Sequence, residues 1–276
     1  MINVLNENKE SDFLIICDHA SNKIPTKFKE LGLSKEILDS HIAFDIGAKE
    51  VAVYLSNILE CPLVMTDFSR LLIDPNRGID DPTLIMRISD NKIVKGNRNI
   101  YNFKKSKEKD ERVKKYYDVY HNKISEFINL RGKDKKYPSI ISIHSFTPVW
   151  RNKKRDIDIG ILWDNDYRLP EIFFNYLREN HKTLVIGDNQ PYSGRLKNDT
   201  LYKHATINGL SNILIEIRQD LITEKKGQKY FANLVSTIVY SMIEFSILLH
   251  SLIILSICCS VRIKANSFFS YSKLAN

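Results

Sequence analysis

Phe13-Leu-Ile-Ile-Cys17 runs into Asp18-His19, Ile140-Ile-Ser-Ile143 into His144-Ser145, and Ile213-Leu-Ile215 into Glu216-Ile-Arg218. Each is a short apolar run that stops abruptly at a side chain able to bind a metal or move a proton. Continuous apolar runs of this length read as strands of a parallel sheet buried on both faces. In open α/β sheets, ligands bind just beyond the carboxyl ends of such strands. Two histidines and a glutamate gathered there suit metal-assisted hydrolysis.

Working outward, further strand-like runs lie at Pro62–Thr66, Ile157–Trp163 and Thr183–Ile186. Helical periodicity fills most of the gaps. Ser34 is an N-cap candidate for a helix carrying Ile37, Leu38, Ile42, Val51, Tyr54, Leu55 and Ile58. Asp45 falls inside that stretch, and Gly47 weakens it. Arg112–Ile128 and Tyr167–Glu179 are two more helices, and Lys229–Phe245 an amphipathic closing one with Phe231, Leu234, Ile238 and Met242 on one side. Alternating strands and helices predict a three-layer α/β/α sandwich around a mostly parallel mixed sheet.

The chain has 276 residues, 43% hydrophobic and 27% charged, which suits one large globular domain and excludes a disordered chain. Its formal net charge of +8 comes from lysines scattered among acids. The densest basic stretches, Lys104–Lys115 and Lys133–Lys136, read as solvated surface, so no nucleic-acid partner is expected. The four cysteines, Cys17, Cys61, Cys258 and Cys259, form no CxxC pair, which argues against a zinc-thiolate site or a disulfide framework. Met1–Asp12 lacks a signal-peptide core, so a cytoplasmic location is expected. The hydrolase domain is assigned to residues 1–245. Residues 246–276 form an apolar, basic tail without acids, and Phe245–Val261 is the one stretch through which membrane contact is conceivable.

His19 and His144 are the metal-ligand candidates, since neutral imidazole is the commonest protein ligand. A zinc site needs at least one further donor. Asp18, Asn22 and Asp45 are available, and spacing does not choose among them. Period-2 alternation puts Glu216 and Arg218 on one side of their strand, which makes Arg218 a candidate substrate contact. Ser69-Arg70-Leu-Leu-Ile-Asp74-Pro-Asn76-Arg77-Gly78 is dense in groups that grip carboxylates. Tyr192, in the turn-rich Asp188–Gly194, is placed to donate to a substrate or an oxyanion. Ser145 follows His144 as a further substrate contact. His204 and Tyr120-His121 have weaker claims.

Six segments in order carry a family resemblance: Cys17-Asp-His-Ala-Ser-Asn-Lys-Ile-Pro25, Phe44-Asp-Ile-Gly-Ala48, Ser69-Arg-Leu-Leu-Ile-Asp-Pro-Asn-Arg77, His144-Ser-Phe-Thr-Pro148, Asn189-Gln-Pro-Tyr-Ser-Gly194 and Ile215-Glu-Ile-Arg-Gln-Asp-Leu221. Together they resemble the N-formylglutamate amidohydrolase family, and more distantly the zinc-dependent exopeptidases and aspartoacylase. The resemblance implies an exopeptidase-like (phosphorylase/hydrolase-like) fold. It implies hydrolysis of an N-formyl or N-acyl amide on an acidic amino acid, N-formylglutamate giving formate and glutamate, and a place in histidine breakdown. The more distant likeness further implies zinc, or another divalent metal, on His19 and His144, with Asn22 at the third-ligand position where the aspartoacylase and carboxypeptidase group has a glutamate. Asn76-Arg77 becomes the carboxylate clamp, Arg70 a carbonyl polariser and Glu216 the general base. The alternative expectation is a non-catalytic or metal-independent relative that binds carboxylates through Arg70 and Arg77.

Overall fold

The computed structural model describes residues 1–102, 106–132 and 137–244. The chain divides into two compact units, Met1–Leu234 and Val235–Asn276, taken here one at a time. In the second, residues 235–244 are helical. The tail 246–276, the apolar run 245–261, the basic Lys133–Lys136 and part of Lys104–Lys115 lie outside the described residues. Among the described residues no helix is long and apolar enough to cross a membrane.

Along the first unit run β1 (Ile2–Leu5), β2 (Phe13–Cys17), α1 (Lys35–Leu38), α2 (Ala48–Leu59), β3 (Leu63–Thr66), β4 (Ile88–Ser89), β5 (Lys92–Ile93), α3 (Ser106–Arg112) and α4 (Asp118–Gly132). Then follow β6 (Ser139–Phe146), β7 (Val149–Trp150), β8 (Lys153–Lys154), β9 (Ile159–Leu162), α5 (Arg168–Asn180), β10 (Ile186–Asp188), α6 (Thr200–His204) and β11 (Asn212–Arg218). Seven strands form one sheet in the order β1-β3-β2-β6-β11-β9-β10. Its centre, β3-β2-β6-β11, is parallel. β1 is antiparallel to β3, and β9 is antiparallel to β11 with β10 parallel to it. β4 pairs with β5, and β7 with β8, as small separate hairpins.

The apolar runs are continuous because both sheet faces are covered. Every residue of β2, β3 and β9 is buried. On one face Leu14, Ile16, Val64, Ile140 and Leu214 pack with Tyr120, Ile124, Phe127 and Ile128 of α4 and Leu201 of α6. Ile15, Cys17, Ile141 and Ile143 on the opposite face are fully buried too. α2 lies against β2, β3 and β6, and α5 against β9 and β11. Each such Leu, Ile or Phe removed from water is worth roughly 1.5–3 kcal/mol. The result is the α/β sandwich predicted from the alternation of runs.

Three expectations about elements are corrected. The single helix from Ser34 to Ile58 is interrupted: α1 ends at Leu38, and α2 begins only at Ala48, after Gly47 at φ +79°. A Cβ on Gly47 would sit 2.3 Å from the carbonyl oxygen of Ile222. Close approach and positive φ therefore both require glycine there. The strand expected at Thr183–Ile186 starts at its last residue and runs to Asp188. β1, in the polar N-terminal segment, was not anticipated; it is a short edge strand on β3.

Candidate active site

The parallel register sets Glu216 of β11 directly across from His144 of β6. β2 ends one residue before Asp18-His19. The three opening motifs therefore meet at the carboxyl edge of neighbouring strands. Interruption of the long helix brings in a fourth segment. Asp45, in the turn before α2, donates its backbone N–H to the carbonyl of His19 at 3.0 Å. Its side chain then lies between the two imidazoles.

His144 Nδ1 is 2.8 Å, and His19 Nδ1 3.3 Å, from Asp45 Oδ2. The opposite nitrogens rest on other carboxylates: His19 Nε2 at 2.7 Å from Asp74 Oδ1, His144 Nε2 at 3.0 Å from Asp18 Oδ2. All five side chains are buried. Thr200 Oγ1 donates to Asp18 Oδ1 at 2.7 Å, and the Asn76 N–H to Asp74 Oδ1 at 3.0 Å. Arg70 donates from Nη1 to Asp45 at 3.1 Å and from Nη2 to Asp74 at 3.4 Å.

These contacts give each ring a direction. In the neutral tautomer whose Nε2–H donates outward to an aspartate, each Nδ1 lone pair turns inward onto Asp45 Oδ2. Three electron-rich atoms then converge, which calls for a proton or a cation among them. Without a cation the charges adjust. Burial alone would lower the His144 imidazole, but hydrogen bonds to Asp18 and Asp45 overcome it and hold its pKa well above the usual value. Burial would raise Asp45, but His19, His144 and Arg70 hold it well below the carboxylate range. His19, Asp45 and His144 offer ligand atoms within 4.8 Å of one another. Two imidazoles and a carboxylate form a donor set suited to a catalytic zinc, and a carboxylate behind each imidazole is the usual outer support.

Glu216 faces the same cleft. It is buried, and among the described residues its Oε2 has no hydrogen-bond partner. Burial is the largest influence on it, and it raises the carboxyl to about 7 although His144 and Arg70 pull the other way. Gly160, opposite Glu216 on β9, leaves room for the loop after β10. A Cβ there would lie 2.2 Å from the Gln190 carbonyl oxygen and 3.4 Å from Glu216 Cβ.

The cleft has a volume of about 590 Å³, and His19, Asp45, Arg70, Asn76, Arg77, His144, Ser145, Tyr192 and Glu216 all line it. Asn76 Oδ1 accepts from the Thr200 N–H at 3.0 Å, which leaves its amide nitrogen for a ligand. Arg77 donates from Nη1 to the Asn76 carbonyl at 2.7 Å and from Nε to Thr83 at 3.2 Å. Ser145 Oγ donates to the Ile46 carbonyl at 2.8 Å, so this hydroxyl braces the Asp45 turn.

Two candidates stand apart. The Asn22 amide nitrogen donates to the Leu38 carbonyl and to Asp39, both at 3.0 Å, and Asn22 does not line the cleft. Asp45 occupies the place beside the histidines. Arg218 also lies off the cleft: its guanidinium pairs with Asp158 at 2.9 Å and Asp220 at 2.7 Å and reaches the carbonyls of residues 155–157. Sequence reasoning gave no weight to Thr200, which supports both Asp18 and Asn76; an Asp199-Thr200 helix start was its only signal. His121 Nδ1 and His204 Nε2 lie 2.8 Å apart, and His121 Nε2 is 3.1 Å from the Pro75 carbonyl oxygen. That pair braces the Asp74–Arg77 loop from behind.

Residues 11–223 match the family described as N-formylglutamate amidohydrolase. Among curated proteins none matches. A solved structure of gene product Atu2144 from Agrobacterium tumefaciens is 35% identical and superposes with a TM-score of 0.80, over 87% of this chain and 95% of that one. N-formylglutamate amidohydrolase from Ralstonia eutropha JMP134, 20% identical, shares the fold with a TM-score of 0.64, over 88% of this chain and 97% of that one. With the matched segment covering every strand of the sheet except the edge strand β1, and every residue of the cluster, the chain belongs to the N-formylglutamate amidohydrolase family, hydrolases of amide bonds.

Proposed function

We propose that this protein is a metal-assisted amidohydrolase that removes a formyl or other acyl group from an acidic amino acid, with N-formylglutamate as the reference substrate. The observation that carries this reading is the convergence of His19 Nδ1, His144 Nδ1 and Asp45 Oδ2 in the cleft that Glu216 lines, with Glu216 Oε2 unpartnered among the described residues. Zinc or another divalent ion held by those three atoms would supply Lewis acidity to the amide carbonyl and to water.

The chain's own residues account for the rest. Glu216 removes a proton from the attacking water, whose oxygen bonds to the acyl carbon. The C–N bond breaks with its electron pair on nitrogen, and Glu216 returns the proton there. A carboxyl titrating near 7 can both take and give that proton at neutral pH. Arg70 holds Asp45 and Asp74 in place and adds positive charge where the carbonyl oxygen gains negative charge. Arg77 and the Asn76 amide bind a substrate carboxylate.

Formate release from N-formylglutamate tests this. The zinc-loaded protein should turn over, and Glu216→Gln should lower kcat by roughly 10²–10⁴-fold with an unchanged circular dichroism spectrum. Turnover by that variant within a few-fold of the parent would contradict the assignment of the base.

A further inference from the structure

The cleft is larger than a formyl substrate requires, and its surplus has a defined character. A formyl carbon bears only hydrogen, whereas about 590 Å³ lies within the ~300–1,000 Å³ range that holds drug-sized ligands. Sheet order separates the two ends of the cleft. Arg70–Arg77 descends from the β3 side, and Tyr192 comes from the loop after β10, with the ends of β2, β6 and β11 between. A substrate whose carboxylate sits on Arg77 and whose amide sits by Glu216 therefore extends its acyl group toward the β10 side.

That side carries an aromatic wall. Phe146 lies two residues beyond His144 on the same strand face, Trp150 on the β7–β8 hairpin, and Tyr192 on its loop; all three line the cleft. The Arg155 guanidinium reaches all three rings, and Arg151 lies 4.4 Å from the Trp150 ring centre. Arg155 lies 5.6 Å from the Phe146 ring centre, 5.4 Å from that of Trp150 and 5.0 Å from that of Tyr192, and donates to the Tyr192 hydroxyl at 2.9 Å. Three cation–π contacts to one cation hold rings from three segments in one arrangement. Trp150 and Tyr192 nevertheless stay 41% and 45% exposed, and with both rings lining the cleft part of this braced surface is open to a ligand.

We propose that the preferred substrate carries a flat apolar acyl group, an aromatic acyl in place of formyl, seated against Phe146, Trp150 and Tyr192. This rests on the amidohydrolase reading above and names its substrate class. The reaction is unchanged: water oxygen joins the aroyl carbon, the C–N bond breaks, and the products are an aromatic carboxylate and the free amino acid.

Binding to the zinc-loaded Glu216→Gln protein, followed by calorimetry, separates the possibilities without turnover. N-benzoylglutamate should bind at least tenfold more tightly than N-formylglutamate, and Trp150→Ala should erase that preference. Equal or weaker binding of the benzoyl compound would overturn the proposal. So would tighter binding of N-succinylglutamate, which would assign the space to an acidic acyl group read by Arg151 and Arg195, both of which also line the cleft. Tighter binding of N-formylphenylalanine would give the wall to the amino-acid side chain and equally overturn it. Binding of the glutamate compounds that survives Arg77→Ala unchanged would instead contradict the carboxylate clamp, and with it the function proposed above.

Discussion

Glu216 is the residue on which the chemistry turns, and its environment sets a pH dependence. Burial lifts its carboxyl to about 7. A base must be ionised to accept a proton, so kcat/KM should fall as pH drops through that value, by about tenfold per unit. A bound cation nearby favours the ionised form, so the midpoint should lie at or below about 7. A profile flat from pH 5 to 8 would remove Glu216 as the base. His19, His144 and Glu216 were legible in the sequence because each interrupts an apolar run; His144 and Glu216 prove to lie two residues before the ends of β6 and β11, and His19 just beyond β2. Asp45 was not singled out. Its neighbours in sequence read as helix, and only folding lays it across the imidazoles of His19 and His144, which lie far apart along the chain. Asn22 follows His19 closely enough to attract attention, yet its amide is used to hold Leu38 and Asp39.

The elements around the site explain how such a cluster is held. α2 can start where it does only because Gly47 takes φ +79° against the Ile222 carbonyl. Gly47→Ala should therefore cost about 1–3 kcal/mol of stability and loosen the Asp45 turn; chemical denaturation would measure it, and an unchanged midpoint would refute it. α6 is started by Asp199, whose carboxylate accepts from the Tyr202 N–H at 2.7 Å. Burial is the main influence on Asp199 and raises it to about 7. Unfolded, an aspartate titrates near ~3.9. Between those values the folded state holds more protons, so this group's contribution to stability declines as pH rises from about 4 to 7. Asp199→Asn keeps a good N-cap and removes the penalty. Its melting temperature should exceed that of the parent at pH 8 and not at pH 4; the reverse order would contradict this account. The break at Gly47 escaped the sequence reading because apolar residues on both sides keep helical spacing. β1 escaped it because four residues at a sheet edge carry little periodic signal.

Across the whole molecule, the site is a product of topology. Parallel pairing of β2, β6 and β11 brings three carboxyl ends side by side, and β9 and β10, parallel to each other and running opposite to β11, carry the Tyr192 loop to the far rim. Apolar runs alternating with helical stretches made this layering legible in advance. The reversal of β9 was not legible, because a buried strand looks the same in either direction. The scattered positive charge takes no part in the cluster, where Arg70 serves by bridging two aspartates. The central claim, a metal site made of His19, Asp45 and His144, is tested most directly by zinc titration of the chelator-stripped protein in a calorimeter. One equivalent should bind per chain, with affinity falling by at least tenfold in Asp45→Asn and unchanged in Asn22→Ala. Zinc binding that survives Asp45→Asn intact, or that is lost in Asn22→Ala, would contradict it.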